Sequence, residues 1–191
     1  MPWPALKIYR TCDDFDTYCR ELKVNLPGDP AHWSPQFVVL HNTGVPKLSD
    51  KPHGFNAASM DALQDYYQHT QVWSGGPHLF VDQNGVWSFN DPRYPGVHSP
   101  SWNHLAFGVE MLGDYDTESF TAGDGLAVHN NAVRAVAALS FAFGLDTGTM
   151  KLHREDPLTD HHCPGDNVDK GAFILECHAA KLKLLGTDTS T

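Results

Sequence analysis

Apolar positions along the chain change period several times, and each change marks an element. Phe37-Val38-Val39-Leu40 is an unbroken apolar run with β-branched residues at its centre. That is the pattern of a strand covered on both faces, and it predicts a strand over residues 36–41 that delivers His41 to a sheet edge. His78-Leu79-Phe80-Val81 and Val86-Trp87-Ser88-Phe89 flank Asp82-Gln83-Asn84-Gly85, and the Asn-Gly step closes a hairpin. Phe107-Gly108-Val109-Glu110-Met111-Leu112 predicts another strand, with one carboxylate among apolar neighbours. Elsewhere helical spacing takes over. Thr11 caps a short helix through about Leu22, with Asp13 and Asp14 at its positive end. Met60, Leu63 and Tyr67 mark a second helix with Ser59 as its cap. Leu126, Val133, Val136, Leu139 and Phe143 line one face of the longest helix, from about Asp124 to Phe143, which Gly144 ends. A last helix is expected near Lys170 to Leu184, and residues 90–104 read as loop. Strands and helices alternating in this way assemble into one mixed central β-sheet flanked by helices, an α/β (α+β) fold.

At 191 residues, without a linker or internal repeat, the chain fits one domain over residues 1–185 with a polar, disordered tail over 186–191. The formal net charge of −10 argues against nucleic-acid binding and against attraction to anionic membranes. No apolar run approaches a membrane span. Met1-Pro2-Trp3-Pro4 has neither the basic region nor the apolar core of a secretory leader, so the expectation is a soluble protein, cytoplasmic on synthesis and monomeric. Cys12 and Cys19 sit seven apart in a helix, too far for a disulfide, and Cys177 reads as a buried apolar residue.

The remaining cysteine is placed for chemistry. Cys163 is followed by Pro164 and Gly165 and closes a run that begins at His153. A histidine and a cysteine on one loop, joined to a histidine at a strand end, can supply most of a metal shell. Two neutral imidazoles and a thiolate leave a tetrahedral zinc ion with one position open, the arrangement of a catalytic site. Glu110 is either paired structurally or kept as an acid/base beside the metal.

In order and spacing, these runs resemble the zinc-dependent N-acetylmuramoyl-L-alanine amidases, the group that includes phage endolysins and animal peptidoglycan recognition proteins. The resemblance covers about Phe37 to Phe173: the strand ending in His41, the Pro77–Gly85 hairpin, Val97-His98 with Trp102, Gly108-Val109-Glu110, and His153 with Cys163-Pro164-Gly165. It implies His41, His153 and Cys163 as zinc ligands. The spacing of ten from His153 to Cys163 matches the longer-loop branch, whereas a spacing of eight would land on His161; the Cys-Pro-Gly step favours Cys163. Pro77 stands where one branch has a tyrosine, which turns the catalytic expectation to Glu110. His161 stands where several relatives have lysine, and is the expected oxyanion donor. His98 and Trp102 occupy positions at which relatives contact glycan or peptide, or else belong to an aromatic loop packed on the domain. Asn42 and Thr43 orient metal or substrate, or simply turn the chain. The implied reaction is cleavage of the amide between N-acetylmuramic acid and the L-alanine of the stem peptide. The rival readings are a peptidoglycan-binding module without catalysis and a cytoplasmic amidase for soluble anhydro-muropeptides. Recognition proteins of the first kind typically lack the cysteine.

Overall fold

The computed structural model describes residues 3, 5–25 and 33–188, so most of the Met1–Pro4 segment and the last part of the expected 186–191 tail lie outside the described residues. Six strands form one sheet: β1 (Ala5–Arg10), β2 (Phe37–Asn42), β3 (Leu79–Val81), β4 (Val86–Asn90), β5 (Ala106–Met111) and β6 (Lys151–Leu152). Their order is β1-β4-β3-β5-β2-β6. β1–β4 and β3–β4 are antiparallel, whereas β3–β5, β5–β2 and β2–β6 are parallel. The sheet is therefore mixed, as its sequence pattern implies. Four α-helices accompany it: α1 (Cys12–Asn25), α2 (Ala57–Asp65), α3 (Gly123–Ala142) and α4 (Lys170–Asp188).

Local chemistry accounts for most boundaries. The Thr11 hydroxyl accepts a hydrogen bond from the backbone N–H of Asp14 at 3.2 Å, capping α1. α2 is capped by Asn56, whose Oδ1 accepts from the Ser59 N–H at 2.9 Å. Ser59 is thus the third residue of the helix rather than its cap. Asp82 Oδ1 takes the backbone N–H groups of Asn84 and Gly85 at 2.8 and 3.1 Å, which ties the hairpin turn. Gly144 leaves α3 at φ 67°, a conformation that costs glycine little. α4 continues to Asp188, four residues beyond the expected end near Leu184. All four cysteines are free.

The parallel core strands divide their side chains between two faces. Val38 and Leu40 of β2, with Phe107, Val109 and Met111 of β5, join the apolar core that includes Val128, Ala132 and Val136 of α3. On the opposite face the register pairs His41 with Glu110. Alternation along a strand sends alternate residues to opposite faces, so one face of β2 and β5 is committed to packing and the other to chemistry. β2 lies between β5 and β6, so His41 is delivered by the C-terminal end of an interior strand rather than by the sheet edge.

Candidate metal centre

His41 is the next-to-last residue of β2 and is 3 % exposed. His153 opens the 3-10 turn that follows β6 (His153–Glu155), and β6 is itself hydrogen-bonded to β2, which brings the two histidines side by side. Their ring centroids are 4.3 Å apart. Cys163 comes back to the same point because its loop is closed on itself. The Arg154 N–H donates to the Cys163 carbonyl at 2.8 Å, and the Arg154 guanidinium donates to the Gly165 carbonyl at 2.8 Å. Gly165 holds φ at 103°, and a Cβ there would stand 2.4 Å from the Tyr115 carbonyl carbon, so only glycine lets the loop lie this close.

One ligand atom each from His41, His153 and Cys163 lies within 4.8 Å of the others. His161 is not in that cluster; its ring stacks on His153 at 5.6 Å and faces the cleft. The residue that joins the two histidines in the cluster is thus the one ten positions after His153, Cys163. Burial pushes the His41 imidazole well below its ordinary range, with the neighbouring His98, His153 and His161 adding to the effect. His153 is lowered too, first by burial. Burial, reinforced by Glu110, pushes the Cys163 thiol up. Three groups whose charge is disfavoured in this way are matched by a divalent cation, which takes neutral imidazoles and drives the thiol to thiolate. His153 Nε2 is buried and has no hydrogen-bond partner among the described residues. An orphaned imidazole nitrogen beside a second histidine and a cysteine is the donor chemistry that zinc accepts. The Asn42 backbone N–H donates to the Cys163 sulfur at 3.2 Å, a contact suited to a thiolate.

The cluster sits in a cleft of about 400 Å³. Glu110 lines it, and burial alone raises its carboxyl to about 8. Asn42 and Thr43 line it as well, yet both are committed to Gly113: the Asn42 amide donates to its carbonyl at 3.2 Å, and the Thr43 hydroxyl accepts its N–H at 2.9 Å. His98 is 8 % exposed and reaches the cleft from below, with Nδ1 3.1 Å from His41 Nε2. Trp102 is not among the lining residues; its ring meets Phe37 edge-on at 5.7 Å, in keeping with a packed aromatic loop.

Two lining residues carried no functional signal in the sequence. Tyr67 and Trp73 stack at 5.1 Å and form an aromatic wall of the cleft. Tyr67 sits on the π-helical turn Tyr66–Thr70, which extends α2, and its ring also meets core residue Phe89 edge-on at 6.1 Å. Asp156 was also silent. It is 1 % exposed, and its carboxylate accepts the Ser99 hydroxyl at 2.5 Å and the Ser101 hydroxyl at 2.6 Å, tying the loop of His98 to the turn of His153.

Fold and cluster define a mixed-sheet α/β protein with a candidate His/His/Cys metal centre. The N-acetylmuramoyl-L-alanine amidase family profile matches residues 31–166, most of the chain, and the chain belongs to that family. It is 28 % identical over 132 residues to human N-acetylmuramoyl-L-alanine amidase, covering 68 % of this chain and 22 % of the human protein. It is 26 % identical over 137 residues to Drosophila melanogaster peptidoglycan-recognition protein SC2, covering 69 % of each. The chain thus spans about a fifth of the human relative and most of the insect one. Among solved structures, the endolysin amidase LysCS from Clostridium intestinale superposes with a TM-score of 0.60 at 20 % identity, over 76 % of this chain and 85 % of that one. Drosophila PGRP-LB in complex with tracheal cytotoxin superposes with a TM-score of 0.58 at 21 % identity, over 75 % and 84 %. These likenesses establish the amidase-type fold.

Proposed function

We propose that the chain is a zinc-dependent amidase that hydrolyses the bond between N-acetylmuramic acid and the L-alanine of the stem peptide. The observation that carries the reading is the meeting, in one cleft, of the His41/His153/Cys163 cluster with an acid/base candidate, Glu110, that has no ion-pair partner among the described residues. A binding module needs no such carboxylate.

Zinc held by His41, His153 and Cys163 would supply a Lewis acid for the scissile carbonyl and would acidify a water. The chain supplies the rest. Glu110 is raised to about 8 by burial, and a nearby positive charge would draw it back towards neutrality, where a carboxyl can both take and return a proton. It removes the proton of the attacking water and delivers it to the departing amine of L-alanine. His161 faces the same cleft and donates a ring N–H to the oxygen on which charge develops. Tyr67 and Trp73 offer apolar faces to a sugar ring. The Asn42 N–H fixes the Cys163 sulfur.

The test is mass spectrometry of products from purified peptidoglycan and, in parallel, from soluble muropeptides. Stem peptides with a free L-alanine amine, formed only when zinc is present, are expected. Intact substrate in both arms, or cleavage at another bond, would overturn the reading. Activity restricted to the soluble arm would place the protein in muropeptide turnover; activity on intact wall would place it with the endolysins, acting after release from the cell that makes it.

A further inference from the structure

His98 makes a hydrogen bond through each of its ring nitrogens, and together they decide where the protons of two histidines sit. Its Nε2 lies 3.0 Å from the Ala106 carbonyl oxygen. A carbonyl can only accept, so Nε2 carries the hydrogen. Nδ1 of a singly protonated ring is then an acceptor, and it lies 3.1 Å from His41 Nε2. His41 must therefore donate from Nε2, which leaves its Nδ1 bare. From the proposed ligand role of His41, we infer that His98 is a positioning residue: it locks His41 as the Nε2–H tautomer and so assigns Nδ1 as the nitrogen that faces His153, Cys163 and the metal.

The surroundings hold His98 to this task. The backbone N–H groups of His98 and Ser99 both donate to Asn103 Oδ1, at 2.7 and 2.8 Å. The ring lies directly on β5, where a Cβ at Gly108 would stand 2.5 Å from the His98 Cγ. No side chain other than glycine leaves room for an imidazole between strand and cleft. The ring stands nearly perpendicular to that of His41, at 86° with centroids 5.2 Å apart, and the two nitrogens are within hydrogen-bond distance. A metal-ligating histidine ordinarily donates its far N–H to a carboxylate or carbonyl. Here the carbonyl of Ala106 acts through an intervening imidazole, a relay that adds no negative charge beside the metal. This reassigns His98 from substrate contact to ligand support.

Long-range ¹H–¹⁵N NMR on the zinc-free wild-type protein reads the tautomer directly. His41 is expected to show a protonated Nε2 and a bare Nδ1, and zinc addition should shift Nδ1. A protonated His41 Nδ1 would overturn the inference, and because that spectrum needs neither metal nor turnover, its failure is distinct from failure of the amidase reading. Zinc affinity, by chelator competition, supplies the second readout. His98→Phe keeps the ring but removes the acceptor, and its affinity should fall by about 10–100-fold. His98→Asn places an oxygen near the former Nδ1 and should restore affinity to within about threefold of wild type. Equal zinc affinity in His98→Phe and wild type would also overturn it.

Discussion

Replacing Asp156 by asparagine removes a charge that the fold has wrapped in donors, and the cost can be worked from the contacts. Oδ2 accepts the Ser99 hydroxyl at 2.5 Å and the Ser101 backbone N–H at 3.1 Å; Oδ1 accepts the Ser101 hydroxyl at 2.6 Å and the Leu158 N–H at 2.9 Å. An amide turns one of these oxygens into an NH₂ group aimed at a backbone donor and a hydroxyl. The hydroxyl can rotate to accept, but the backbone N–H cannot. Hydrogen bonds to a charged partner contribute about 1.5–3 kcal/mol each, so the net loss is about 2–3 kcal/mol. In a domain of this size each 1 kcal/mol moves Tm by roughly 2–4 °C, which gives a fall of roughly 5–10 °C near neutral pH. Burial alone would raise the Asp156 carboxyl, but the serine and backbone donors outweigh it and hold it at about 2. A folded-state pKa below the ordinary carboxylate value contributes stability that is present above about pH 4 and is lost as the pH falls towards 2. The gap between wild type and Asp156→Asn should therefore be full at pH 6–7 and shrink on acidification below pH 4. Thermal unfolding followed by circular dichroism across that range measures it. A Tm change under about 2 °C at pH 7, or a gap that widens in acid, would refute the reasoning.

Three further outcomes follow from the centre itself. Glu110→Gln should keep its zinc while turnover falls by roughly 10²-fold or more, and wild-type turnover would return Glu110 to a packing role. Cys163→Ala should lose zinc and His161→Ala should retain it with kcat lowered about 10²-fold, as read by elemental analysis and steady-state kinetics. The reverse pattern would make His161 the third ligand. Gly165→Ala, which drives a Cβ into the Tyr115 backbone, should lower both Tm and zinc affinity, the latter by about tenfold or more. Unchanged values for both would show that the loop has room the geometry denies.

β2 and β5 were legible because each is a mostly buried apolar run bounded by turn signals. β1 was not legible. Its six residues, Ala5–Arg10, form an edge strand with Ile8 and Tyr9 largely exposed, so they lack a clean inside–outside alternation. β6 has only two residues and exists through its pairing with β2. The cluster of His41, His153 and Cys163 was legible as a resemblance in order and spacing, since each residue ends or follows a recognisable element. The roles of Tyr67, Trp73 and Asp156 were hidden for a different reason. Tyr67 continues a helical period, which ordinarily marks core, and its ring does pack against the core while it also lines the cleft. Asp156 acts on a loop more than fifty residues away, a partnership that no local pattern encodes.

Half of this centre is strand and half is loop, and the two halves answer to different rules. His41 and Glu110 are register partners on adjacent parallel strands, so the gap between them is fixed by backbone pairing. His153 and Cys163 are joined instead by a loop with bonds of its own, from Arg154 to the Cys163 and Gly165 carbonyls and from Ser99 and Ser101 to Asp156. A change in that loop acts on His153 and Cys163 while the strand-borne pair keeps its register. On the proposed reading, Glu110 would then keep a fixed distance from His41, while the softness, charge and exchange rate of a bound metal would be set through the loop that carries Cys163.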